Sequence, residues 1–325
     1  MSNNNLGAAR ALRGLVVACA LTIPAAPSWA ADPVFPTGSR VGLVPPAGMI
    51  ASDRFDGFAA PGEDAAILIT VLPASAYAQI DKTLDLEVLK KQGVTLEKRE
   101  PMTFSFGKGF LLIGRQVAQK TKYRKWLLVA AASDLTALIT VQAPDQDAAY
   151  SDRIVRAALA TVAVRAKVPD AEEFSLLPFS VGDLAGFHAD DFLRGRAVML
   201  SDTPEDANKE ARASSLDTHM LIAAIPGGPT EPDQWANFAQ QSFGEIGGIK
   251  DINMTMSEPL RIGGQSGYQT MAQAKDARTG ADVMVVQWLR FGGGGYLQMI
   301  GVARADTWTA TLARLRTVRD SVELK

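Results

Sequence analysis

Chemistry in this chain would have to come from very few side chains. His188, His219 and Cys19 are its entire supply of imidazole and thiol. The segment His188-Ala189-Asp190-Asp191 sets a histidine beside two carboxylates, the residue types of a metal site or an acid–base pair. Either role needs a third ligand or a nucleophile converging in space. Without one, the segment reads as an exposed loop after Gly186-Phe187. His219 opens an apolar run and reads as a strand-edge residue. Gly264-Gln265-Ser266-Gly267 approaches the Gly-x-Ser-x-Gly elbow of serine hydrolases, but Tyr268 stands where the last glycine is required. Gly292 to Gly295 form a run of four glycines with no Lys-Ser/Thr after it and no helix opening from it, so they read as a hairpin tip and not a phosphate loop. The carboxylate pairs Asp190-Asp191 and Glu172-Glu173 are adjacent in predicted loops and lack the opposed geometry of a glycosidase. No catalytic residue, cofactor site or metal site is expected.

One cluster has charge to offer a partner. Lys120, Lys122, Arg124 and Lys125 surround Tyr123 and Trp126. In an extended chain Lys120, Lys122 and Arg124 share one face, a basic stripe suited to lipid headgroups, an anionic envelope polymer or an acidic protein face. The competing reading is a solvated hairpin with a turn around Lys120-Thr121-Lys122, which keeps a sheet edge from aggregating.

The whole composition sets limits on these readings. The chain has 325 residues, 47% hydrophobic and 21% charged, with a formal charge of −2. That is too apolar for disorder and too near neutrality for a protein that lives on nucleic-acid phosphates. Residues 1–30 read as a secretory signal peptide. Arg10 and Arg13 precede an apolar stretch from Gly14 to Ala26, and Ser28-Trp29-Ala30 supplies the small-x-small cleavage site. The apolar stretch falls short of the roughly 20 residues that span a bilayer. Cleavage after Ala30 would remove Cys19 and leave a periplasmic or secreted chain without cysteine. A lipoprotein acylated at Cys19 is the competing reading. The later apolar window from Trp126 to Val141 is broken at Ser133-Asp134, a hairpin turn, so no transmembrane segment is expected in the mature chain.

The elements that must position these residues repeat. Glu100-Pro101-Met102 and Gly109-Phe110 return as Glu258-Pro259-Leu260 and Gly267-Tyr268, each 158 residues on. Ala66 to Pro73 parallels His219 to Pro226 at an offset of 153, and Ala137 to Val141 parallels Gln298 to Val302 at 161. Four matches in one order indicate two copies of one fold. Each copy opens with short strands: Val41–Val44 in the first, Phe179–Leu184 and Ala197–Ser201 in the second. An apolar strand ending in proline follows, and then an amphipathic helix. The first such helix carries Ile80, Leu84, Val88 and Leu89, with Lys90-Lys91 in its last turn and Gly93 beyond. The second is capped at Thr230, Pro232 and Asp233, buries Trp235, Phe238, Ala239 and Phe243, and ends at Gly247-Gly248. Three or four strands come next in each copy. A closing helix carries Ile154, Ala158, Leu159 and Val162 in the first copy. In the second it is capped by Asp306 and carries Trp308, Leu312, Leu315, Val318 and Val322. The polar stretch Ala166 to Glu173 reads as a linker. The expected class is α+β: two tandem α/β/α sandwich domains, residues 31–168 and 169–325, each a mainly antiparallel sheet flanked by helices.

This order resembles the PsbP-like fold, an α/β/α sandwich found in the oxygen-evolving complex of photosystem II, in a Ran-binding import factor and in many bacterial exported proteins. The resemblance rests on Pro45-Pro46-Ala47-Gly48 after the first strand, Gly57-Phe58 in the next hairpin and the Glu-Pro-x…Gly-aromatic segment of each copy. Met49 departs from it, standing where such domains often carry a tryptophan. The resemblance implies a scaffold that binds, with a protein or small ligand of the envelope as partner and the groove between the copies as its natural site. An envelope hydrolase with an unrecognised site, or a peripheral lipid-associated protein, are the alternatives.

Overall fold

The computed structural model describes residues 31–62, 64–83, 90, 93–118, 120–203 and 218–325. The expected signal peptide with Cys19, and the helix positions Leu84, Val88, Leu89 and Lys91, lie outside the described residues.

Runs rich in valine, isoleucine, leucine and threonine form the strands, and those in the middle of each sheet are buried continuously along much of their length. The first half contains β1 (Val41–Gly42), β2 (Ile50–Ala51), β3 (Gly57–Ala59), β4 (Ala66–Pro73), α1 (Ala76–Thr83), β5 (Val94–Phe104), β6 (Gly107–Ala118), β7 (Thr121–Ala131), β8 (Leu135–Pro144), α2 (Asp152–Ala160) and β9 (Ala163–Val164). The second contains α3 (Asp170–Leu176), β10 (Phe179–Val181), β11 (His188–Leu193), β12 (Ala197–Ser201), β13 (His219–Pro226), α4 (Trp235–Gly244), β14 (Ile249–Ile262), β15 (Gln265–Asp276), β16 (Asp282–Gly292), β17 (Gly295–Arg304), α5 (Trp308–Asp320) and β18 (Val322–Leu324). Each half builds a seven-stranded antiparallel sheet, in the order β2-β3-β4-β8-β7-β6-β5 and β11-β12-β13-β17-β16-β15-β14. A small antiparallel pair completes each half, β1 with β9 and β10 with β18. Strand for strand the two topologies are the same. The chain is a tandem pair of α+β domains.

Register sharpens the repeat. Pro101 lies opposite Phe110 and Met102 opposite Gly109, as Pro259 lies opposite Tyr268 and Leu260 opposite Gly267. The offset of 161 for the last strand is corrected to 160. Ala66 pairs with Gln142 and His219 pairs with Val302, so Ala137 corresponds to Leu297 and not to Gln298. One residue of slip exchanges the faces of a strand, and only the corrected value places Ala137, Ile139 and Val141 on the same face as Leu297 and Met299.

Each sheet is covered on both faces. In the first half α2 sets Val155 and Leu159 against Leu111, Ile113, Trp126 and Leu128, while α1 sets Tyr77 and Ile80 against Phe110, Leu112 and Val129. In the second, α5 brings Leu315 and Val318 to Val286, Trp288 and Met299. On the opposite face α4 brings Phe243 to Ala272, Val283 and Val285, and Ala239 to Leu289. Several boundaries differ from the sequence reading. The polar linker gives way to α3 at Asp170. Val322 belongs to β18, not to the closing helix. The cap of α5 is Thr307, because the Asp306 carboxylate is taken by Arg304, and Glu231 caps the turn before α4 in place of Thr230. The four glycines behave as expected: Gly292 pairs with Gly295 across a two-residue turn in which Gly293 and Gly294 have φ of 66° and 78°.

The outer strands β5 and β14 are long, and both are interrupted. Each carries a proline, Pro101 or Pro259, and each is bulged, between Leu96 and Lys98 in β5 and at two places in β14. A missing N–H and a local kink make a poor template for a further strand.

Residues 33–325 form one compact unit. At the junction of the halves, the Arg194 guanidinium pairs with both oxygens of Asp56 (2.5 and 2.8 Å) and donates to the Thr37 carbonyl (2.9 Å). Glu172 on α3 accepts from Arg165 (2.8 and 2.6 Å) and from the Gly38 N–H (3.0 Å). Beside it, burial pushes the Glu173 carboxyl above its usual range. Among the described residues no helix is long and apolar enough to cross a membrane.

Candidate functional site

The sheet of the second half offers the most developed recess. On its α4 side, alternation and register align side chains in rows across β12, β13 and β17: Ser201, His219 and Val302; Met199, Leu221 and Ile300; Ala197, Ala223 and Gln298; and, at the end, Ile225 beside Tyr296. The helix α4 lies over β14 and β15, so these rows run alongside it. A lobe of about 420 Å³ opens where the rows meet the end of α4, walled by Ser242, Glu245 and Ile246. A second lobe of about 360 Å³ continues over β12 and β13 to Asp191, Leu193 and Arg196. Met199, Leu221, Ile225 and Gln298 line both lobes, which makes them one trough.

Its floor is aliphatic and its polar groups differ in how they are held. The Ser242 hydroxyl faces the Ala239 carbonyl at 3.2 Å and the Gln287 side chain at 3.2 to 3.4 Å. Gln298 donates to Gln287 at 2.9 Å. Fully buried Gln287 satisfies itself in this way, donating also to the Ala239 carbonyl at 2.9 Å. Burial, and then the nearby Glu245 charge, raise the Tyr296 hydroxyl above its usual range, so it stays protonated and a donor. Among the described residues, neither Glu245, in the first lobe, nor Arg196, in the second, is paired with an opposite charge.

The first half has the same positions and other residues there. Its rows are Ala59, Ala66 and Gln142; Gly57, Leu68 and Thr140; Thr70 and Leu138; Leu72 and Thr136. Thr70, Thr136, Thr140 and Gln142 therefore stand where the second half has Ala223, Tyr296, Ile300 and Val302. The exchange also runs the other way, with Ser201, His219 and Gln298 at the places of Ala59, Ala66 and Leu138, so the second copy gathers its apolar side chains in the middle rows.

The candidate residues of the sequence fall as follows. His188 is not in an exposed loop but in β11, half-buried, with its Nε2 enclosed and without a hydrogen bond. It lies opposite Ser201, whose other neighbour is His219. Both histidines therefore flank one serine on the trough side of the sheet, a coincidence invisible until the strands are paired. Ser201 is hydrogen-bonded to Thr203 at 3.0 Å. Asp190 and Asp191 belong to β11 and Glu172 and Glu173 to α3, so none of the four is a loop residue. Among the described residues, no group of three or more His, Cys, Asp or Glu side chains could hold a metal ion. Ser266 lies opposite Arg261 beside the Gly263-Gly264 turn, matching Lys108 opposite Thr103 in the first half. The turn is a shared structural one.

The basic cluster does not form one stripe. Lys120 occupies the turn before β7 with φ of 75°. Lys122 is exposed. Arg124 is held by both oxygens of Asp152 (3.0 and 2.8 Å) and by Glu97, which also takes Arg115. Lys125 points to the opposite face, into a trough with Val94, Leu96, Leu112 and Leu127, where burial lowers its ammonium below the usual range. Between the copies stand the Arg194–Asp56 and Glu172–Gly38 hydrogen bonds, and the trough lies within the second copy.

No protein-family model matches the chain, and no curated protein sequence matches it. Similar solved structures include the Ran-binding protein Mog1p of Saccharomyces cerevisiae, at 7% identity and a TM-score of 0.34, covering 45% of this chain and 90% of that one. LpqN of Mycobacterium tuberculosis, involved in cell envelope biogenesis, is 16% identical with a TM-score of 0.33, covering 45% of this chain and 83% of its own. The type VI secretion system immunity protein TplEi of Pseudomonas aeruginosa, in complex with the "L" peptide, is 11% identical with a TM-score of 0.28, covering 86% and 99%. The duplicated topology itself rests on strand order and register.

Proposed function

We propose that this chain is an exported, non-catalytic binding protein of the bacterial envelope, whose partner sits in the trough of the second copy. One observation carries the reading. Two copies of one sheet differ on the same face, and in the second the aliphatic floor of Met199, Leu221, Ala223, Ile225 and Ile300 is edged by the Tyr296 hydroxyl and by Glu245, Asp191 and Arg196, side chains in no ion pair among the described residues. An apolar recess with a few convergent polar groups is the ordinary form of a binding site. The serine hydroxyls nearby are engaged by Thr203 and by Gln287 with the Ala239 carbonyl, which favours binding over nucleophilic catalysis. The exposed Lys120 and Lys122 remain available as a secondary contact for an anionic partner.

A photo-crosslinking side chain placed at Ala223, and separately at the equivalent Thr70, tests the reading in intact cells. The expected result is a discrete adduct at Ala223 and none at Thr70. Equal adducts at both positions, or none, would overturn it. His188→Ala and His219→Ala should leave any measured hydrolytic activity unchanged, and its complete loss in either would restore the hydrolase. Export is checked by amino-terminal sequencing of the mature protein, which should begin at Ala31.

A further inference from the structure

On the α5 side, away from the trough, the second sheet carries a line of polar groups that the first copy lacks. Met256 in the outer strand β14 lies opposite Met271, as Lys98 in β5 lies opposite Ile113. By the same register Glu258, Gln269 and Trp288 are the counterparts of Glu100, Leu111 and Leu128. In the first copy Lys98 closes an ion pair with Glu100 beside an aliphatic core. A charged side chain is the usual residue for an exposed sheet edge. The second copy sets a thioether there instead, 40% exposed.

That thioether is connected to the core. Gln269, 4% exposed, donates from Nε2 to the Met256 sulfur at 3.1 Å, and the same nitrogen faces Glu258 Oε1 at 3.4 Å. Its Oε1 accepts from the Trp288 indole N–H at 2.7 Å. Trp288 is fully buried, with the Arg319 guanidinium over its ring at 5.0 Å. Three side chains thus lead from an exposed sulfur to the middle of the core. A thioether is a weak acceptor, so its bond is the soft link in this chain.

Met254 supplies a comparison within the same strand. It is 41% exposed, but the bulge between Met254 and Met256 turns it to the other face. There it lies across from Ala272, in the cluster that packs under α4. Among the described residues no side chain is hydrogen-bonded to its sulfur. Two methionines of equal exposure differ in what an altered sulfur would touch.

We infer that Met256 is a modification site, where an oxidant of the peroxide class converts the thioether to a sulfoxide and Gln269 passes the change to Trp288. A sulfur lone pair attacks one peroxide oxygen, and the S–O bond forms as the O–O bond breaks. The departing hydroxide takes the proton from the transferred oxygen and leaves as water. Sulfur is oxidised by two electrons and the peroxide is reduced by two. The product is polar and chiral, and its oxygen is a far better acceptor than the thioether. It redirects the Gln269 amide, whose other end holds the indole.

Hydrogen peroxide titrated onto the full chain tests this, with peptide mass mapping to locate added oxygen and the Trp288 indole N–H resonance as readout. Met254 and Met256 should each gain one oxygen before any buried methionine does. The Trp288 resonance should shift in step with the Met256 sulfoxide, in the wild type and in Met254→Leu. It should return on treatment with methionine sulfoxide reductases. In Met256→Leu it should stay in place while Met254 is oxidised. In Gln269→Leu, Met256 should still gain oxygen without any further shift at Trp288. A Trp288 resonance that ignores Met256 oxidation, or that shifts equally in Met256→Leu, overturns the inference. Oxidation that begins at buried methionines with Met256 intact overturns it too. The binding reading survives each of these failures, because the trough lies on the other face of the sheet.

Discussion

Two buried tryptophans provide a test of how much an unpaired hydrogen-bond partner costs. Trp126 and Trp288 are both 0% exposed, and they are not equivalent positions. Trp288 lies opposite Gln269, while the corresponding pair in the first copy is Leu128 opposite Leu111. The Trp288 Nε1–H donates to Gln269 Oε1 at 2.7 Å, and Gln269 is 4% exposed. The Trp126 Nε1–H donates to Asp152 Oδ1 at 3.0 Å, but that carboxylate is 43% exposed and also holds Arg124. Replacing either indole by phenylalanine removes roughly 40 Å³, about 1 kcal/mol of cavity at 24 cal/mol per Å³, with a further ~1 kcal/mol of lost transfer. Trp288→Phe also strands a buried carbonyl, which costs about 1–3 kcal/mol, whereas Asp152 keeps water and Arg124. Urea unfolding followed by far-ultraviolet circular dichroism should give about 3–5 kcal/mol for Trp288→Phe and about 2 kcal/mol for Trp126→Phe. Adding Gln269→Leu, the first copy's own residue, should return about 1–2 kcal/mol to the Trp288→Phe protein. Equal losses for the two tryptophans, or no recovery with Gln269→Leu, would refute the reasoning.

Three further outcomes are expected. Arg156, with Lys98, holds the Glu100 carboxyl down at about 2, from an ordinary value of 4.5. Its contribution is complete above the ordinary value and is lost as pH falls toward 2. Glu100→Gln should therefore cost about 1 kcal/mol at pH 7, a figure reduced because these side chains reach solvent, and the deficit should shrink steadily in urea titrations between pH 5 and pH 2. A Cβ at Gly57 would lie 1.8 Å from the Ile67 carbonyl oxygen at φ of +148°, while one at Gly62 (φ +78°) meets nothing within 4 Å. In thermal melts Gly57→Ala should lose more than ~3 kcal/mol or fail to fold, against about 1 kcal/mol for Gly62→Ala. Arg194→Ala removes a half-exposed pair with Asp56 and the bond to Thr37, so overall stability should fall by only about 1 kcal/mol. Limited proteolysis near Lys167 should nevertheless accelerate, and an unchanged cleavage rate would count against Arg194 as the tie between the halves.

The repeat is legible because proline and glycine mark strand pairing in both copies. Glu100-Pro101 and Glu258-Pro259 occupy one register, and a search for similarity finds them without knowing why. What alternation alone leaves undetermined is register across the last strand, where a slip of one residue passes unnoticed until Gln142 and Val302 are seen opposite Ala66 and His219. The trough is hidden for a related reason. Met199, Leu221 and Ile300 come from three strands far apart in sequence, and each looks like ordinary core in its own segment. Comparing Thr70 with Ala223 at the offset of 153 exposes the difference between the copies, and Gln142 meets Val302 only at the corrected offset of 160. His188 is misplaced by sequence because Asp190-Asp191 reads as loop by composition, whereas a bulge between Ala189 and Asp191 lets the strand carry both carboxylates outward. The basic cluster misleads because its partners, Glu97 and Asp152, lie on other elements.

The small sheets that close each copy determine how the chain would respond to pulling. Val41 pairs with Val164 and Phe179 pairs with Leu324, so the chain enters and leaves each copy at the same end of an antiparallel ribbon. Tension applied along the polypeptide would load those ribbons one hydrogen bond at a time, like a zip, and not all bonds together in shear. The seven-stranded sheets behind them would bear force only after the ribbons had parted. A protein that is threaded through a membrane, or drawn into a protease, is engaged from its ends. This one would yield there first, at low force, with the trough still intact behind the opened ribbon.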